Sequence, residues 1–240
     1  MTEQFIFNSL CERIRTEYQS QKHKMSWSFL YTPQSTLHSS QKLLFVGLNP
    51  AGNDREIYTE APSCEDGNDY LHGKWAETWG RGEAHLQIQV QQLFKRIALA
   101  KSATISYQDL MDNSLAANYV PFRSKDWDTL SNKKETLNFA KELWSEIFNF
   151  VKPRAVVCIS IVAYEGIKKI LLTQGFKYMN LEEREAVGWG NVTYQLTELS
   201  NGEQTALLIR LPHLSRYSIF NNSNCDIKVN YLAKRIANVL

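Results

Sequence analysis

Cysteine is scarce in this chain and never closely spaced. The four residues, Cys11, Cys64, Cys158 and Cys225, form no C-x-x-C pair. A zinc or iron–sulfur cluster of the usual ligand spacing is therefore not expected, and reduced structural thiols are. Long apolar runs are missing too. No stretch approaches the roughly 20 residues that a bilayer span requires, and no charged-then-apolar leader opens the chain. A soluble, cytoplasmic protein without membrane contact is the expectation. An excess of charge of one sign is also lacking: the net charge is +2 at pH 7, too small to announce a nucleic-acid binder by composition alone. No internal repeat, low-complexity tract or clear domain linker interrupts the sequence.

What is present suits one sizeable α/β domain over residues 1–240, with 43% apolar residues to fill a core. The charge is unevenly spread. Residues 52–92 hold eight acids against three bases, whereas residues 205–240 hold five bases against one acid. An acidic insertion at about 52–92 and a basic C-terminal segment have different work to do.

Residues 4–20 place Phe5, Leu10, Ile14 and Tyr18 at helical intervals. "KLLFVGLNP" reads as a core strand ended by Asn-Pro, and "HLQIQVQQLFKRIAL" returns to helical spacing. "SLAANYVPF" is a second strand stopped by proline. "KKETLNFAKELWSEIFNFV" is an amphipathic helix closed by Lys152-Pro153. "RAVVCIS" and "TALLIRL" are two more core strands, "VAYEGIKKILL" is a helix between them, and "VTYQLTEL" alternates like an edge strand. A final helix closes the chain. Apolar strands alternating with helices predict a mostly parallel sheet covered on both faces, and such sheets bind ligands beyond the carboxyl ends of their strands.

Three strand exits carry unusual polar sequence. In "GLNPAGND", Gly47 permits a close approach and Asn49 offers a carboxamide. The segment lacks the ending of a P-loop and the spaced glycines of a dinucleotide site, and alone it reads equally as an ordinary turn. In "AANYVPFRS", Asn118 has a donor and an acceptor suited to a base edge, or to neighbouring backbone. In "PHLSRY", no nucleophile elbow precedes Ser215, so a Ser or Cys hydrolase has little support. His213 with Arg216 suits a place where negative charge develops beside a phosphate chain.

Together these segments resemble the uracil-DNA glycosylase superfamily. "LLFVGLNPAG" is similar to its first motif, "SLAANYVPFRS" to the strand that reads the flipped base, "ELWSEIFNFVKPRAVVCIS" to its middle helix–strand unit, and "LPHLSRY" to its final His-x-Ser motif. The resemblance spans roughly residues 43–220. With "GKWAETWG" and "LQIQVQQLF" it narrows to a bacterial branch whose neighbours are linked to defence against phage with modified cytosines.

The resemblance implies a three-layer αβα sandwich around a central, mostly parallel four-stranded sheet. It implies a monofunctional DNA glycosylase, monomeric, without cofactor or metal, acting on double- or single-stranded DNA. Asn49 would orient a water below the sugar, with Asp54 as the carboxylate that Asn49 is not. His213 would stabilise the departing base and Asn118 would pair with it. Tyr58, Trp79 or Trp75 would stack on it. Ser215 would hold a flanking phosphate, Arg216 or Tyr217 would fill the gap in the helix, and Arg123 would contact DNA. Two departures stand out. Leu214 replaces the usual proline between His and Ser. Ala51 stands where uracil-specific members carry a tyrosine against 5-substituents, which leaves room for a bulky 5-modified cytosine such as glucosylated hydroxymethylcytosine. The alternatives are excision of uracil or another deaminated base in repair, and a non-catalytic DNA- or nucleotide-binding role.

Overall fold

Neighbouring residues on a strand face opposite sides of a sheet, and here both sides are apolar. The computed structural model describes residues 2–240. Its strands are β1 (Leu43–Gly47), β2 (Leu115–Asn118), β3 (Ala155–Cys158), β4 (Lys177–Tyr178), β5 (Glu183–Trp189), β6 (Val192–Ser200) and β7 (Thr205–Arg210). The helices are α1 (Glu3–Ser20), α2 (Asp69–His72), α3 (His85–Lys101), α4 (Tyr107–Asp112), α5 (Lys133–Phe150), α6 (Ile161–Thr173) and α7 (Asp226–Val239).

Leu44, Val46, Ala117, Val156, Cys158 and Leu208 enter one core with α1, α5 and α6. Phe45, Ala116, Val157, Leu207 and Ile209 enter the other with α3 and α7. That parity is what makes three layers. Strands β2, β1, β3 and β7 lie side by side in parallel. Beyond them β6 runs antiparallel to β7, and β4 and β5 share its far edge. The four expected core strands are therefore the parallel centre of a sheet of seven. The "VTYQLTEL" strand is interior rather than an edge, because β5 covers it.

Local chemistry explains the boundaries. Ser160 caps α6 by accepting from the Val162 amide at 3.2 Å. Pro153 lacks an amide proton and ends the α5 region. The buried Trp144 of α5 donates from its indole to the Tyr119 carbonyl at 3.0 Å, which ties the helix to the exit of β2. Helix α3 begins at His85, where the helical spacing of "HLQIQVQQLFKRIAL" begins, inside the acidic segment counted over 52–92.

His23 is packed on Phe122 with ring centroids 4.2 Å apart and faces Gln21, Ser131 and Thr136. Burial lowers its pKa, opposed only by the charge of Glu17. A group with a depressed folded pKa contributes stability above its unfolded value of 6.5, and that stability is lost as pH falls through the folded value. Thermal melts from neutral to mildly acidic pH should hold steady and then fall below about 6.5. In His23→Gln, which keeps polar contacts but cannot titrate, the fall should shrink. An unchanged profile in that variant would remove His23 as the cause.

Candidate active site

The exits of β1 and β2 are zipped together past the end of the sheet. The Tyr119 amide bonds the Gly47 carbonyl at 3.0 Å, Val120 bonds Leu48 at 2.8 Å, and Ser124 bonds Pro50 at 3.2 Å. This ladder fixes Asn49. Its Nδ2 donates to Ser124 Oγ at 2.8 Å and to the Pro50 carbonyl at 3.1 Å, while Ser124 donates onward to the Asp126 carbonyl. With the nitrogen committed, Oδ1 is left as an acceptor with no protein donor among the described residues. A carboxamide held that way orients a water rather than deprotonating it.

Asn118, at the end of β2, is buried and lies against Gly47. A Cβ added at Gly47 would meet Asn118 Oδ1 at 2.1 Å and the Tyr70 hydroxyl at 3.7 Å. The glycine is therefore required by a close approach, with no strain in its backbone.

Behind Asn118 stands an aromatic wall of which the sequence pointed to Trp75 alone. Tyr31 stacks on Tyr70 at 5.5 Å, and Trp75 meets Tyr70 edge-on at 5.3 Å and Tyr31 at 6.3 Å. Asp69 accepts from the Trp75 indole at 2.6 Å. Desolvation pushes the Asp69 carboxyl up, against the lowering effect of Trp75, Cys64 and Arg123. Desolvation also raises Tyr31, whose hydroxyl feels Arg123 and Asp69. A signal for this wall exists in the sequence: "WSFLYTP" is an apolar run stopped by proline, like the recognised strand exits. The Tyr31 amide bonds the Ala116 carbonyl at 2.8 Å, so the segment lies along β2.

Several expectations need revision. Asp54 is exposed and engages no hydrogen-bond partner among the described residues; the carboxylate drawn toward Asn118 and Tyr31 is Asp69. Tyr58 carries the Arg123 guanidinium over its ring at 4.4 Å and donates to Glu56 at 2.6 Å. One of its faces is thus covered, and Arg123, which also holds the Ala51 carbonyl, is committed to the loop. Trp79 is 45% exposed, and of the three named aromatics only Trp75 joins the wall. Most acids of the insertion are also engaged locally: Glu60 with Arg15 at 2.9 Å, Glu65 with the Gln34 amide at 3.0 Å, and Glu83 with the Gly80 amide at 2.8 Å.

At the exit of β7, Pro212 and Leu214 are buried and His213, Ser215 and Arg216 are exposed. Leu214 sits in the α3–α7 core, which accounts for an apolar residue between histidine and serine. The Arg216 and Tyr217 amides both bond the His213 carbonyl, at 2.9 and 3.1 Å. This tight turn brings Ser215 Oγ to 2.7 Å from His213 Nδ1. Desolvation first, and the charge of Arg216 second, lower the His213 pKa, so the ring is neutral near pH 7. Tyr217 is packed edge-on against Trp189 at 6.1 Å and is not free to act as a wedge; Arg216 is.

A cavity of about 500 Å³ opens beside His213, bordered by Ser160, Asn191, Thr193, Arg210 and Tyr217. Gly47, Asn49, Ala51 and Asn118 do not border it; they line the neighbouring exits of β1 and β2. Among the described residues, no helix is long and apolar enough to cross a membrane, and no three His, Cys, Asp or Glu side chains are grouped to hold a metal ion. No protein-family model matches this chain, and no curated protein matches it.

Proposed function

We propose that the chain is a DNA glycosylase that extrudes a pyrimidine nucleotide and hydrolyses its N-glycosidic bond, with a preference for a bulky 5-modified cytosine. One observation carries this reading. Asn49, Asn118 and His213 leave parallel strands at the same edge of one sheet, in the order β2, β1, β3, β7. Three strand spacings of about 4.8 Å separate β2 from β7, and the proposal places the flipped nucleoside across that span.

In this mechanism Asn118 pairs with the edge of the extruded base, and Tyr31, Tyr70 and Trp75 exclude water behind it. Extrusion costs a few kcal/mol, offset by pocket contacts. The bond between the sugar C1′ and the base nitrogen breaks, and its electron pair leaves with the base. The Ser215 hydroxyl donates to His213 Nδ1, which leaves Nε2–H as a neutral donor to the carbonyl oxygen where negative charge collects. The water held by Asn49 Oδ1 bonds to C1′, and its lost proton ends on the departed base. Cytosine leaves less readily than uracil without a proton, and a carboxyl group raised by burial, as in Asp69, suits that need. The exposed Ala51 leaves the 5-position open.

The test is a panel of otherwise identical duplexes carrying uracil, hydroxymethylcytosine or glucosylated hydroxymethylcytosine, scored for alkali-labile abasic sites. The glucosylated substrate should be cut fastest. Cleavage of uracil alone would favour a repair enzyme, and no cleavage of any substrate would defeat the glycosylase reading.

A further inference from the structure

The antiparallel wing β4–β6 lies outside the four parallel strands that carry the site residues, and it has its own chemistry. Arg184 of β5 is the register partner of Gln195 in β6, and Gln195 is the partner of Arg210 in β7. Partners directly opposite on antiparallel strands share a face, so the three side chains form one row running toward His213. Arg210 is locked in that row. Its Nε donates to Gln195 Oε1, and its Nη2 to the Thr193 carbonyl and hydroxyl at 3.1 and 2.9 Å. Its Nη1 has no protein partner among the described residues, and the side chain borders the 500 Å³ cavity beside His213.

The charges here are unbalanced. Arg184, Arg210 and Arg216 form no ion pair among the described residues. The nearby carboxylates pair with none of these three arginines among the described residues, although Glu182 bonds Gln195 in the middle of the row. Glu182 is held by Lys168 at 3.1 Å and by Tyr164, Thr197 and Gln195, and Glu165 is held by Lys168 at 2.9 Å. On the other face of β5, Glu183 pairs with Arg235 and Glu185 with Lys228. Burial first and the charge of Arg184 second depress Arg210, against the raising effect of Tyr164, Glu182 and Glu165. The wing is also fixed relative to the β7 exit. Trp189 packs on Tyr217, and Gly188, at φ 101°, lies so close to Asn224 that a Cβ would meet its carbonyl at 2.2 Å.

We propose that the row Arg184–Gln195–Arg210, which ends at the cavity beside His213, is a track for the phosphodiester backbone of the DNA strand that carries the flipped nucleotide. The inference rests on the glycosylase reading and adds the path of the strand: along the antiparallel wing and away from the acidic insertion, whose carboxylates repel phosphate. Arg184 is the exposed member, so its replacement leaves the locked core of the row intact.

The test uses the full chain and a fluorescein-labelled duplex containing a tetrahydrofuran abasic analogue, titrated at several salt concentrations. Arg184→Gln should bind several-fold more weakly, and its log K against log[salt] slope should be shallower by about 0.7–0.9, one phosphate contact. Lys101→Gln, the same charge change at an exposed site on α3, should leave the slope unaltered. A parent-like slope in Arg184→Gln from a protein that still binds and cleaves DNA overturns the track alone. A parent protein that neither binds nor cleaves overturns the glycosylase reading together with it.

Discussion

His213→Ala should lower single-turnover cleavage about 10²–10³-fold, the usual cost of removing one donor from a developing oxyanion, while the thermal midpoint stays close to that of the parent. Two features separate the effects. The ring is exposed, so its loss opens no core cavity, and the turn that carries it is held by backbone bonds from Arg216 and Tyr217 and by the buried Pro212 and Leu214. Catalytically the ring has no substitute. Ser215 stands on the Nδ1 side of the ring, 2.7 Å from that nitrogen, and not where Nε2 donates, and Arg216 supplies charge but no donor fixed at the base oxygen. Full activity in His213→Ala would remove the residue from the mechanism.

Gly47→Ala should abolish recognition of the base without unfolding the protein. The added methyl would stand 2.1 Å from Asn118 Oδ1, well inside any real contact, so the carboxamide must rotate away. The obstacle is a side-chain tip, and the glycine's backbone is one that alanine tolerates; the sheet itself is spared. Misplacing a positioning group by about 1 Å costs on the order of 10²-fold, and here the group proposed to read the base moves further. A loss of that size in cleavage, with unchanged circular dichroism and a small change in melting temperature, is the expected result. An active Gly47→Ala would mean that Asn118 does not contact substrate.

The route from sequence to site was direct for some residues and closed for others. The parallel strands were legible because each is a short apolar run ended by a turn residue, and their exits were legible because polar residues follow a buried strand abruptly. Leu214 looked anomalous beside its neighbours until its side chain was found in the core below the turn. Strand β5 was not legible. "EREAVGW" puts Glu183 and Glu185 on a face whose partners are Tyr231, Arg235 and Lys228 of α7, and nothing local in charged, alternating sequence separates such a strand from a loop. The acidic insertion misled in a similar way. Counted by composition it is a run of free carboxylates; in the fold Arg15, Gln34, Gly80 and Tyr58 hold Glu60, Glu65, Glu83 and Glu56, and of these partners only Arg15 is a cation.

Sequence by itself determined the three layers, the parallel centre, and the arrival of Asn49, Asn118 and His213 at one sheet edge, because hydrophobic period and turn chemistry are local properties. Tertiary structure alone decided which acid enters the site, Asp69 rather than Asp54, and which aromatics wall it. It also decided which cations are already paired, as Arg235 is, and which form no ion pair among the described residues, as Arg184 and Arg216 do. Those outcomes depend on contacts between segments far apart in the chain, where burial and pairing are settled only once the sheet and helices have packed.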